Sequence, residues 1–169
     1  MDLAFLLVRL VVGLGFAAHG AQKLFGWFGG YGLAGTGGWL ESIGFRPGKA
    51  FAAASGLGEL AGGLLLAFGL GGPVGPALVI AVMTVAILTV HLKNGFFAAS
   101  NGSELPLLYI ALAVLFAFAG YGAFGLDAVT GLAAGWNPTL SWIAIVVGFL
   151  AGVLNLAARR KPAATEAAA

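Results

Sequence analysis

The chain has no cysteine among its 169 residues, which excludes disulfides, thiolate metal sites, iron-sulfur clusters and a CxxC redox couple of its own. Any electrons it handles would have to travel on a bound cofactor. Charge is almost as scarce: eight Lys and Arg with six Asp and Glu make up 8% of the chain, against roughly 25% in soluble domains. The formal charge of +2 is too small to suggest a nucleic-acid partner. There is also no HExxH, no Walker loop, no GxGxxG opening a helix after a strand, and no Ser-His-Asp arrangement. What is abundant is apolar surface, with 60% hydrophobic residues, 13 Phe, 4 Trp and a mean hydropathy of +1.02. A water-soluble globule is excluded, and the lipid bilayer is the expected solvent.

Crossing about 30 Å of hydrocarbon takes about 20 apolar residues, and five segments qualify, near 3–22, 50–70, 74–92, 105–122 and 139–158. Their apolar runs are continuous rather than alternating, so they read as helices and not barrel strands. The fold class is an all-α polytopic transmembrane helix bundle. Leu70 to Pro76 predicts a tight helical hairpin, Trp136-Asn137-Pro138 a restart of the last helix, and Ser103 an N-cap with Glu104 in the first turn. Lys23, Arg46, Lys49, Lys93, Arg159, Arg160 and Lys161 fall at one end of a five-span bundle. The positive-inside rule then puts the N-terminus outside and the C-terminus in the cytoplasm. A cleaved signal peptide is the competing reading of the first segment, but Met1-Asp2 lacks a basic n-region and Arg9 interrupts the apolar run. The tail from Pro162 is expected to be disordered. A short interfacial helix is expected over Thr36 to Phe45, and the loops on the cytoplasmic side read as lids on the bundle. Gly148-x3-Gly152 offers a small-residue face for a homo-oligomer.

Ionisable groups inside a membrane segment are costly and point to function. Arg9, Glu59, His19 and His91 lie within the predicted spans, with Lys23 and Glu104 at the cytoplasmic rim. At about 100° per residue, Arg9, His19 and Lys23 share one face of the first helix with Gly13, Phe16 and Gly20. Glu59 is flanked by Gly56 and Gly63, and the Gly58/Gly62 pair also lets a neighbour come close. Close backbones predict that Arg9 reaches Glu59 as a buried ion pair. Thr84, Ile87 and His91 share a face of the third helix. Plainer roles stand beside these: Arg9 with Glu59 as a purely structural lock, Lys23 snorkelling to headgroups, and Glu104 as a helix N-terminal charge. Three chemistries fit. His19, Lys23 and His91 with Phe25, Trp27 and Phe96 would make a quinone slot. The two histidines would suit a bis-histidine haem b, and His with Glu104 a divalent metal.

Arg9-x3-Gly13, His19-Gly20-x-Gln22-Lys23-Leu24-Phe25-Gly26, Gly35-Thr36, Ser42-Ile43-Gly44-Phe45, Gly58-Glu59-x2-Gly62-Gly63, Val90-His91-x3-Gly95-Phe96-Phe97 and Gly102-x-Glu104 together resemble the DoxX family of small bacterial integral membrane proteins. The resemblance implies a DoxX-like membrane domain over 1–127. An outer loop and a fifth transmembrane helix would follow over 128–158, beyond the four-helix core usual in the family, and a basic stop and tail over 159–169. It implies a multi-pass protein of the bacterial cytoplasmic membrane, related to the DoxD subunit of a thiosulfate:quinone oxidoreductase and linked to oxidative-stress defence. Arg9, His19, Lys23, Glu59, His91 and Glu104 match the family pattern. The leading expectation is a membrane subunit of an oxidoreductase system, with a soluble or membrane redox partner. It would bind a quinone near the cytoplasmic face through His19, Lys23, His91 and Glu104. The alternatives are a small proton-coupled or solute transporter or channel, in which Arg9, Glu59 and His19 line a path, and a structural adaptor for a soluble redox protein.

Overall fold

A computed structural model describes residues 1–160. Lys161 and the tail from Pro162 lie outside the described residues. Seven α-helices follow in chain order: α1 (Asp2–Phe25), α2 (Gly32–Ser42), α3 (Gly48–Phe68), α4 (Val74–Ala86), α5 (Glu104–Ala119), α6 (Leu126–Val129) and α7 (Pro138–Ala157). A π turn (Ile87–His91) and a 3-10 turn (Leu92–Asn94) prolong α4. Helix forms at all five segments read as spans. Four are long and apolar enough to cross a bilayer: Asp2–Phe25, Gly48–Phe68, Val74–Asn94 and Pro138–Ala157. The other, α5, has 16 residues, or ~24 Å at 1.5 Å per residue, and stops where Gly120 takes φ 72°.

Association between helices in lipid depends on close packing, because lipid tails are as apolar as leucine. Glycine supplies that closeness here. A Cβ added at Gly13 would stand 2.5 Å from Ala67 N, and one at Gly20 would stand 2.5 Å from Gly56 O and Leu60 N. The backbones of α1 and α3 therefore touch, antiparallel, with Gly13 level with Ala67 and Gly20 level with Leu60. Gly58 and Gly62 serve the other flank of α3, against Val82 and Leu78 of α4. On α7, a Cβ at Gly152 would lie 2.7 Å from Ala81 O, and Gly148 abuts Ala77. The Gly148/Gly152 face offered for a homo-oligomer is thus used within the chain, packed against Ala77 and Ala81 of α4.

Phe16, Leu66, Val79, Ile80, Met83, Ala113, Phe116 and Tyr121 form the core where α1, α3, α4 and α5 meet. Leu3, Leu7, Val11 and Leu14 of α1, and Trp142, Val146, Leu150 and Leu154 of α7, face outward, as lipid-exposed positions do. The basic end of the bundle is tied together. Arg160 N donates to Gly44 O at 2.8 Å and Arg159 Nε to Ile43 O at 2.6 Å, with the Arg159 guanidinium 6.0 Å from the Phe45 ring centroid. The end of α7 therefore meets the loop between α2 and α3. Asn137 caps α7 by accepting from Leu140 N at 3.1 Å, followed by Pro138 at the first helical position. Ser103 occupies the N-cap position of α5 but does not cap it, since its hydroxyl donates to Gly95 O.

Candidate functional site

The α1–α3 register brings Lys23, in the last turn of α1, beside Gly56 and within side-chain reach of Glu59. Lys23 Nζ donates to Glu59 Oε1 at 2.6 Å and to Ser55 Oγ, one turn earlier on α3, at 3.0 Å. Glu59 is 3% exposed, and its Oε2 has no hydrogen-bond partner within the described residues. The expected Arg9–Glu59 pair does not form. Arg9, 2% exposed, lies one turn beyond the Gly13–Ala67 contact and gives its two terminal nitrogens to the carbonyls of Ala67 and Phe124, the latter at 2.7 Å. The same close packing that would have served Arg9 serves Lys23, because Arg9 sits too far along α1 to reach Glu59.

Beside the Lys23–Glu59 pair is a cavity of about 520 Å³. His19 and Lys23 of α1, Ser55 and Glu59 of α3, and His91 at the end of α4 bring the polar groups, and Tyr109 of α5 adds a phenol. Thr89 and Asn155 add two further polar side chains to walls that are otherwise apolar, and Trp39, Leu40 and Phe45 of the α2 region line the basic end. Lining aromatics are Phe16, Trp39, Phe45, Phe51 and Tyr109. Phe25, Trp27 and Phe96, expected to form the slot, are more than half exposed at 55%, 59% and 54%. None of the three lines the cavity.

Both histidines have a fixed tautomer when neutral. His91 Nδ1 lies 2.9 Å from Asn101 O; a carbonyl only accepts, so Nδ1 carries the proton. Gln22 donates through Nε2 to Phe28 O at 3.2 Å, which turns its Oε1 to accept from His19 Nδ1 at 3.1 Å. Each Nε2 is thereby a lone pair. Thr84 is not at His91's side: it is buried against Gly152, and the π turn over Ile87–His91 resets the helical register between them. Glu104 does not line the cavity. Its Oε2 accepts from Ala98 N at 2.8 Å and orders the loop before α5. Among the described residues no three His, Asp or Glu side chains gather as a metal ligand set.

Of the six residues selected by sequence, His19, Lys23, Glu59 and His91 surround one cavity, whereas Arg9 and Glu104 hold backbone elsewhere. Ser55 and Tyr109 were missed. Ser55 stands four residues before Glu59 and so on its face, a legible signal; Tyr109 reaches the site only through tertiary packing beside Phe16 (ring centroids 5.1 Å apart).

The opposite end holds a second cluster that the sequence did not disclose. Asp127, 3% exposed, accepts from Gly71 N at 3.0 Å, Gly72 N at 2.6 Å and Trp136 Nε1 at 3.0 Å. Gly71 and Gly72 both take positive φ, 79° and 50°, so successive N–H groups converge on one carboxylate. Tyr121 donates to Gly72 O at 2.5 Å.

A sequence model of the DoxX family matches residues 4–92, more than half of the chain, and therefore covers Arg9, His19, Lys23, Glu59 and His91 but not Glu104. No curated protein and no solved structure matches.

Proposed function

The chain belongs to the DoxX family of membrane proteins, and we propose that it is the membrane component of an oxidoreductase system that binds a quinone in the cavity between α1, α3, α4 and α5. The observation that carries this reading is the cavity itself. It is mostly apolar and aromatic, with His19, Lys23, Glu59, His91 and Tyr109 among the polar residues that line it. Its volume of about 520 Å³ lies within the roughly 300–1,000 Å³ of small-molecule sites. A quinone is a flat apolar ring with two polar oxygens, which matches a greasy slot with a few polar groups near one end. Lys23 uses two of its three N–H donors on Ser55 and Glu59 and keeps one for a ligand. The quinone supplies two-electron redox chemistry; the chain's residues orient the ring and hold its oxygens.

The proposed topology has five crossings, α5 included, with the N-terminus outside and the cavity toward the cytoplasmic face of a bacterial inner membrane. Supporting it, the basic loops and the end of α7 lie together. That is the arrangement the positive-inside rule asks of a cytoplasmic side. A soluble or membrane oxidoreductase partner would meet the protein there. A transporter in which Arg9, Glu59 and His19 line one path is less well supported, since Arg9 is not among the cavity's lining residues.

Purified protein in lipid nanodiscs should bind a short-chain ubiquinone or menaquinone analogue in at least one redox state. His19→Ala and His91→Ala should weaken that binding at least roughly tenfold, the worth of one good hydrogen bond. No binding of either redox form in several lipids would overturn the proposal. Bis-histidine haem b is a second reading with one observation in its favour, because Nδ1–H held by an oxygen leaves Nε2 free in the way metal-bound histidines are oriented. A Soret band in the absorbance spectrum would establish it in place of the quinone.

A further inference from the structure

Among the described residues one buried hydrogen-bonding position lining the cavity is unfilled, and it is an acceptor. Glu59 Oε2 is buried and without a partner. As one half of an ion pair with Lys23 at 2.6 Å, the carboxylate can only accept. His19 and His91 in their neutral tautomers each spend Nδ1–H on a protein oxygen and leave Nε2 as a second and a third acceptor. Donors are also present: one remaining N–H of Lys23, the Trp39 indole, the Asn155 amide and the Tyr109 hydroxyl, which can turn either way. An oxidised quinone brings two carbonyl oxygens that can take those donors but no donor of its own, so it would leave the buried Glu59 Oε2 unsatisfied. Burying an acceptor without a donor is costly.

We infer that the cavity selects the reduced ligand, a hydroquinone whose two O–H groups donate to Glu59 Oε2 and to a histidine Nε2, over the corresponding quinone. This rests on the proposal that the cavity is a quinone site, and it makes Glu59 the residue that discriminates between redox states. Lys23 has a positioning role here: its ammonium holds Oε1 and leaves Oε2 to the ligand. The proposal concerns binding alone and requires no electron transfer by the isolated chain.

Equilibrium binding of decylubiquinol and decylubiquinone to the full chain in nanodiscs, under anaerobic conditions, tests it. The wild type should bind the quinol at least roughly tenfold more tightly, because a hydrogen bond to a charged acceptor is worth more than a neutral one. Glu59→Gln puts an amide where the carboxylate stood and should erase most of that ratio. Equal affinity for the two forms, or preference for the quinone, would overturn the inference while leaving the quinone site standing; absence of binding by both forms would remove the site as well. The wild-type ratio decides the matter even if Glu59→Gln fails to fold.

Discussion

The two ends of the bundle each bury a charged group beside a cavity, and they handle it in opposite ways. At the far end Asp127 takes three donors from protein, Tyr121 donates to Gly72 O, and Arg9 is tied through two nitrogens to the carbonyls of Ala67 and Phe124, with only its Nε left without a partner among the described residues. That cluster joins the α3–α4 hairpin to the segment after α5, and its cavity of about 360 Å³ is bordered by side chains already bonded to protein. At the basic end Glu59 has one oxygen paired and one open, and two histidines end in lone pairs. Burying a charge carries the same desolvation cost in both places. Where hydrogen bonds to protein complete the group, the return is structure; where positions stay open toward a cavity, the return has to come from a ligand.

The sharpest way to separate the two regions is to remove each carboxylate's support and compare stability with binding. Asp127→Ala should have the largest effect on folding. It strands Gly71 N, Gly72 N and Trp136 Nε1 at once, and should cost about 4 kcal/mol, from roughly 1–3 kcal/mol for each unsatisfied buried donor less what water recovers. Thermal unfolding in lipid would show this as a large drop in Tm, with quinol affinity unchanged in the fraction that remains folded. If affinity falls in step with stability, the two regions are one unit and the contrast fails. Lys23→Met comes next at about 3 kcal/mol, because breaking a buried pair strands the surviving charge. Adding Glu59→Gln to that variant should restore most of the stability but not the binding.

Most of the fold could be read locally. The hairpin at Leu70 to Pro76 and the restart at Asn137-Pro138 are short-range turn chemistry, and each long apolar run became a helix. The cavity's residues were half legible, for a definite geometric reason. Helical periodicity fixes the azimuth of a side chain, and it correctly put Arg9, His19 and Lys23 on one face of α1. It says nothing about height against another helix, so it could not choose between Arg9 and Lys23, 14 residues and ~21 Å apart along the axis, as the partner of Glu59. Height is set by the glycine contacts at Gly13 and Gly20, which mark the register only once both helices are seen together. Asp127 escaped notice because its donors lie 55 and 56 residues away and are backbone N–H groups of glycines, whose identity as anion ligands depends on a conformation and not on a side chain.

Trp136→Phe probes the far cluster more gently. It removes one of Asp127's three donors and keeps the ring, so a loss of about 1–1.5 kcal/mol is expected, with no change in ligand affinity. A loss near zero would mean that the two glycine N–H groups alone satisfy the carboxylate.

The smallest effect on stability, and the most informative, belongs to the histidines. The exposed His19 makes one hydrogen bond to protein, to the Gln22 side chain, and the partly buried His91 one to a loop carbonyl. Exposed side-chain hydrogen bonds exchange with water at little net gain, so His19→Ala and His91→Ala should each change unfolding free energy by less than about 0.5 kcal/mol. Binding should respond differently, because only a ligand uses Nε2. A His91→Gln variant sharpens this further: glutamine can offer an oxygen near the place of Nε2 and should restore part of the quinol affinity that alanine loses, whereas leucine, similar in bulk and without an acceptor, should restore none. Equal affinities for the Ala, Gln and Leu variants would show that His91 only shapes the cavity. A graded series at constant stability would place the function of this end in the groups that protein leaves unbonded.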